Sequence, residues 1–327
     1  MTDLVKAEPI FSFTRKGVTE VVVHGVVALK KQGVVLSGNR ANTSIVTRSL
    51  LKPWQVMAVG GIDAEHKFWV MGVASHNGQP QHLEQLNEFM KYTGTQESDL
   101  VCPRTYSLDY AAAATMRASG VPVSRLHHPC AGKHLLMLAA AKAENLPVDS
   151  YWHVDHPLQK RIQALVGKEA SEKINWVTDS CGVPVAVMPV RALMNMYERF
   201  ALDTTAVAAN LKKLWLDNPN LVGGGYRMDS DICTLGNRAL LAKEGADGLL
   251  IVQSLPEGDE ELMGCFVKIS SGYNVAHIGI ALWVLLSTQP ELNASLTKLK
   301  DHLKSRLEEW VPKDQGLQIL YRPKPCL

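Results

Sequence analysis

Two hydrophobic periods alternate along the chain. Near its start, apolar and β-branched residues crowd into "IFSFTR" (10–15), "TEVVVHGVVALK" (19–30) and "GVVLSG" (33–38). Runs of this kind predict strands, and "KKQG" predicts the turn joining the last two. A polar stretch, "NRANTSIVTR", then leads into "SLLKPWQVMAVGG" (49–61), where the apolar spacing turns helical and a glycine pair marks the end. Pro53 falls in the first turn of that predicted helix, where a missing N–H is tolerated best.

Further on, "FWVMGVAS" (68–75) is a short apolar run ending in the turn formers "SHNGQP". "QHLEQLNEFMKYTG" (81–94) predicts an amphipathic helix with Leu83, Leu86, Phe89 and Met90 on one face. Helices are also predicted in "HHPCAGKHLLMLAAAKAEN" after its opening loop, in "HPLQKRIQALVGKEA" and in "AVMPVRALMNMYERF". Near the end, "DGLLIVQSL" and "ELMGCFVKISSG" read as two strands of a hairpin, followed by the helix "YNVAHIGIALWVLLS". Strands at both ends with helices between them predict an α+β fold, one antiparallel sheet closed by the chain ends and flanked by helices. No linker, repeat or low-complexity segment divides the sequence, so a single domain over residues 1–327 is expected.

Composition narrows the function classes. A formal charge of +2 with no block of like charges and no basic tract interleaved with aromatics gives no footprint for nucleic acid. The longest apolar stretch, "VAHIGIALWVLL", carries His277 and is too short to span a bilayer. The N-terminus lacks a basic segment followed by an apolar run, and six scattered cysteines make no disulfide framework. The expectation is a cytoplasmic protein with reduced thiols and a small-molecule substrate.

Three groups of residues carry possible chemistry. Ser49 and Lys52, one turn apart at a helix start, have the spacing of a nucleophile and its base, with first-turn amides available for an oxyanion. The ordinary alternative is a capping serine and a solvated lysine, and Ser295/Lys298, in a charged helix that runs on through "KLKDHLKSRLEEW", is read that way. A lysine base must be neutral, which burial and a second nearby cation favour. "ASHNGQ" adds Ser75 and Asn77, and "CFVKISSG" puts Lys268 in an otherwise apolar strand, an expensive choice unless something is gained. Serine-x-x-lysine, serine-x-asparagine and a strand lysine before Ser-Gly are the parts used by penicillin-recognising enzymes. The third group pairs "HPCAGKH" with "TDSCGVP", bringing in Cys130, Lys133, His134, Asp179 and Cys181. It reads as a metal site, as a cysteine nucleophile with a histidine partner, or as two small buried thiols. His76, His82, His127 and His128 are read as loop or capping residues, and Cys102, Cys233, Cys265 and Cys326 as unpartnered thiols.

Taken together, "RSLLKP" (48–53), "ASHN" (74–77), "CAGKH" (130–134), "TDSCGVP" (178–184) and "VKISSG" (267–272) resemble the rhizobial-type L-asparaginases, in that family's order. The resemblance implies a fold similar to serine β-lactamases and penicillin-binding proteins, a homodimer, and hydrolysis of L-asparagine to aspartate and ammonia. It also implies two serine-lysine tandems, Ser49 with Lys52 and Ser75 with Lys268, and a zinc set of Cys130, Lys133 and Cys181. On this reading a serine deprotonated by lysine forms an acyl-enzyme, with Ser49 the first choice as nucleophile. Arg48 is the candidate for the substrate α-carboxylate, and Asn77 and Asp179 for its other polar groups. Zinc is not needed for the hydrolytic step. The alternatives are an amidase acting on glutamine or a β-lactam, and a non-catalytic amino-acid-binding protein.

Overall fold

The computed structural model describes residues 7–38, 40–60, 67–256 and 260–323. Cys326 lies outside them. The chain opens with strands β1 (Glu8–Arg15), β2 (Val18–Lys31), β3 (Val34–Gly38) and β4 (Ser44–Val46). Helices α1 (Lys52–Val59), α2 (Trp69–Val73), α3 (Pro80–Thr93), α4 (Tyr110–Ala118), α5 (Ala131–Ala143) and α6 (Pro157–Ala170) follow. Next come β5 (Asn175–Thr178), β6 (Pro184–Pro189), α7 (Val190–Leu202), α8 (Ala206–Asp217), α9 (Pro219–Val222) and α10 (Met228–Leu235). The C-terminal part holds β7 (Leu240–Gly245), β8 (Leu249–Ser254), β9 (Met263–Ile269), α11 (Val275–Ser287), α12 (Ala294–Ser305) and β10 (Gly316–Ile319). Among the described residues no helix is long and apolar enough to cross a membrane.

These elements fall into two units. The first takes residues 1–45, 188–202 and 231–327 and is built on a seven-stranded antiparallel sheet in the order β10-β1-β2-β9-β8-β7, with β3 also on β2. As the sequence pattern predicts, this sheet joins the two ends of the chain. Its interior strands β8 and β9 are buried nearly throughout, which explains their continuous apolar runs. Helix α11 packs on β1, β2 and β9, and α7 on β8 and β9. Lys30 of β2, fully buried, reaches Glu198 of α7 at 2.6 Å, and the other Glu198 oxygen accepts the Gly33 amide at 2.9 Å. Burial pushes the Lys30 ammonium below its usual pKa while the Glu198 contact opposes that shift.

The second unit takes residues 46–187 and 203–230. Helix α5, "AGKHLLMLAAAKA", is buried along most of its length, and α1, α2 and α3 pack on it. Gly132 lets α5 approach α2 closely, since a Cβ there would stand 2.2 Å from the Met71 carbonyl oxygen. The α3 face differs slightly from the predicted one. Leu86 and Phe89 are buried, Leu83 and Met90 only half-buried, and His82 joins the buried face.

Candidate active site

Ser49 and Lys52 belong to one continuous element, a single 3-10 turn (Arg48–Leu51) that runs into α1. Its start is pinned by Thr47, whose amide and hydroxyl both donate to the Ala186 carbonyl, at 2.9 and 3.0 Å. Arg48 is left-handed, with φ of +48°, a conformation that costs a non-glycine residue about 1–2 kcal/mol. Its guanidinium is held by an acidic loop. Nε lies 2.6 Å from Asp179 Oδ1, and Nη2 donates to Ser180 Oγ at 2.9 Å. The Ser180 amide donates to the same Asp179 oxygen at 2.7 Å. Arginine and carboxylate are therefore set in place together.

Lys52 is 0% exposed, the opposite of the solvated alternative. Its amine donates to the carbonyls of Ala74 and Pro129, the latter at 3.1 Å, and lies 3.1 Å from Ser75 Oγ. The hydroxyl in contact with Lys52 is thus Ser75, not Ser49. Ser49 Oγ makes no hydrogen bond among the described residues, and Ser49 is the more exposed of the two serines. In contrast, Lys298 of the second serine-x-x-lysine pair is exposed on α12.

Ser75 and Asn77 stand on an extended segment whose backbone is bonded to the residues after α9. The Ser75 amide donates to Val222 at 2.7 Å and the Asn77 amide to Gly223 at 2.9 Å. His76 is fully buried and stacks on His82, with centroids 5.0 Å apart. Burial first, then His82 and Lys52, depress its pKa well below the ordinary value. His82 is held to about 4, mainly by burial. Its Nδ1 accepts the Gln79 amide at 3.0 Å, which needs that nitrogen unprotonated, while the Nε2 bond to the Asn220 carbonyl at 2.9 Å works against the effect of burial. His82 and His128, which accepts the Cys130 amide at 3.1 Å, are capping residues as expected.

Sequence reasoning passed over the "GGGYR" run at 223–227. Gly225 donates its amide to Gln79 Oε1 at 3.1 Å and accepts from Asn77 Nδ2 at 2.9 Å, while Gln79 Nε2 donates to Asp109 at 3.0 Å. Gly224 has φ of +106°, and a Cβ on it would stand 2.4 Å from Asn77 Oδ1. Three consecutive glycines beside no predicted element were the available signal of a backbone pressed against a side chain.

Cys130, Lys133 and Cys181 do come together. Lys133 Nζ lies 3.4 Å from Cys181 Sγ, which is 3.9 Å from Asp179 Oδ2. A hydrogen bond from Cys181, helped by Lys52 and Lys133, drives the Cys130 thiol well below its ordinary pKa against the effect of burial. Burial works against the Lys133 ammonium, yet the two thiols and Asp179 raise its pKa. His134 is a core residue, 2.7 Å from the Tyr151 hydroxyl, and the histidine bonded to the Cys130 side chain is His128. Among the described residues no three His, Cys, Asp or Glu side chains form a metal cluster, so any such site depends on Lys133.

Lys268 belongs to the sheet unit. Opposite Val26 and Leu249 in β9, it is the one residue of the strand not fully buried, and its amine bonds the Asp247 and Ile269 carbonyls.

No curated protein matches the sequence. A family model does match, described as L-asparaginase II and covering residues 11–317. With nearly the whole chain covered, the protein belongs to the L-asparaginase II family.

Proposed function

We propose that this L-asparaginase works through a serine acyl-enzyme with Lys52 as the general base. The observation that carries the reading is the surroundings of the Lys52 amine. It is sealed from water, with the Ala74 and Pro129 carbonyls positioned to take N–H bonds and the Ser75 hydroxyl 3.1 Å away. A neutral amine keeps one lone pair that can take a proton, and Ser75 Oγ is the hydroxyl within reach of it.

In this reading Ser49 Oγ attacks the carboxamide carbon of asparagine and its proton passes to Lys52 by way of the Ser75 hydroxyl, which Lys52 touches. The C–N bond breaks, and Ser75, bonded to Lys52, delivers that proton to the departing ammonia. Water then attacks the aspartyl ester, releasing aspartate and restoring Ser49. Ser49 fits the nucleophile because it is the more exposed hydroxyl and has no hydrogen bond to give up among the described residues. The Arg48–Asp179 pair suits the zwitterionic end of the substrate, guanidinium to α-carboxylate and carboxylate to α-ammonium. Lys268 enters only as the second tandem lysine implied by the resemblance, as do the β-lactamase-like scaffold and the homodimer.

The buried thiol-amine-thiol set fits Zn²⁺, which favours sulfur and nitrogen donors. Cys130, Cys181 and Lys133 would hold it. When bound it would contribute a fixed positive charge and tie together the 130–134 and 178–184 segments, outside the hydrolytic steps.

The test is ammonia release from asparagine by wild type, Ser49→Ala, Ser75→Ala and Lys268→Met, with glutamine and a chromogenic β-lactam as comparison substrates. Protein quenched in acid during turnover is then mapped by mass spectrometry. An aspartyl ester on the peptide carrying Ser49 is expected. An ester on Ser75, or turnover in Ser49→Ala close to wild type, overturns the assignment.

A further inference from the structure

Asn77 is 4% exposed, yet its Oδ1 has no hydrogen-bond partner among the described residues. Chemistry fixes the orientation of the amide. Nδ2 must face the Gly225 carbonyl, 2.9 Å away, because that oxygen only accepts. Oδ1 is then the vacant acceptor, and it is held rigidly. The Asn77 amide is bonded to Gly223, and its carbonyl accepts the amides of Leu108 and Asp109 at 2.8 and 3.0 Å. Gly224, in a left-handed conformation, leaves no room for the side chain to retreat. A buried acceptor left unpaired this way is costly and calls for a donor.

We propose that Asn77 Oδ1 accepts an N–H of the substrate's carboxamide and is the group that distinguishes asparagine from aspartate. The inference rests on the acyl-transfer reading above. Asn77 lies two residues from Ser75, and their amides are held by adjacent carbonyls, those of Val222 and Gly223. Ser75 is the hydroxyl assigned to the leaving nitrogen, which puts Asn77 Oδ1 beside the same group. The α-ammonium has its own acceptor in Asp179. A carboxamide offers N–H to Oδ1, whereas the product carboxylate offers only another oxygen, and the two acceptors repel. A site that hydrogen-bonds one group in this way rejects the analogue lacking it far more strongly than shape alone would.

The experiment measures binding without turnover. In full-length protein carrying Ser49→Ala, affinities for L-asparagine and L-aspartate are determined by calorimetry with Asn77 intact and with Asn77→Leu, which is similar in size and has no acceptor. Asparagine should bind at least tenfold more weakly in the Leu variant, while aspartate binds as well as before or better, so the preference collapses. Equal weakening of both ligands would put Asn77 on a group they share and overturn the inference, as would no change in either. If Asn77→Leu fails to fold by its thermal melt, Asn77→Ala carries the same comparison. Wild-type protein that releases no ammonia from asparagine would instead bring down the hydrolytic reading, and the inference with it.

Discussion

Replacing Lys52 by Met is the sharpest probe of the site. The two side chains have nearly the same length, so the substitution removes the amine and little of the packing. The Ala74 and Pro129 carbonyls and the Ser75 hydroxyl lose a partner in a dry environment. Buried groups left unpaired cost about 1–3 kcal/mol each, but the variant no longer desolvates an amine, so a net loss of about 2 kcal/mol is expected. Catalysis loses its base. A positioned base contributes about 10²–10⁴-fold, which corresponds to about 2.7–5.5 kcal/mol in the barrier. Ammonia release at saturating asparagine should therefore fall by at least about a hundredfold in protein that still melts cooperatively. Lys298→Met, at the exposed copy of the motif, should leave both rate and melting temperature unchanged. A folded Lys52→Met variant turning over within about tenfold of wild type would refute the assignment of Lys52 as base, because losing a positioned base costs more than that.

Two further outcomes follow from packing and burial. Gly132→Ala drives a methyl group to 2.2 Å from the Met71 carbonyl oxygen and should cost about 2 kcal/mol or more, whereas Gly167→Ala on α6 meets nothing within 4 Å and should gain about 0.5–1 kcal/mol; urea midpoints separate the two, and equal midpoints would contradict the close approach of α5 to α2. The buried histidines make the fold acid-labile: His82 titrates near 4 in the native state against 6.5 ordinarily, and His76 and His134 are shifted in the same direction, all mainly by burial. The unfolded chain thus binds protons that the native state refuses, so stability is full above about pH 6.5 and falls as the pH drops toward 4, with His82 alone worth about 3 kcal/mol. Unfolding near pH 5 should take up close to three protons on their account, and a melting temperature flat from pH 7 to 5 would contradict it.

The elements that sequence pattern identified best are those whose period is set by one-sided or complete burial. β1, β2, β8, β9 and α11 carry their environment in their spelling. The misses have local causes. "WVMGV" forms the short helix α2, because a brief apolar run fits either a buried helix or a strand. "PVAVMP" is strand β6 running directly into α7, so a helix predicted from residue 186 starts at Val190 instead. β7, "LLAKEG", was hidden by a lysine and a glutamate that are buried in spite of their charge. At the site, residue types and spacing named Ser49, Lys52, Ser75 and Asn77, but not that Lys52 would reach across to Ser75. That contact depends on the tertiary approach of the 74–77 segment to α1, which no period in the sequence encodes.

The strand order of the sheet also dictates a timetable for the growing chain. As the polypeptide leaves the ribosome, β1 and β2 appear first, yet β9 and β10, which flank them on either side, are among the last segments made. The helical residues 46–187 emerge in between and can bury α5 well before any of that sheet is complete. Throughout that interval the early hairpin presents open hydrogen-bonding edges, a hazard for association with neighbouring nascent chains. A transcript cut short ahead of residue 263 would therefore forfeit the anchor of the first strands as well as the missing tail.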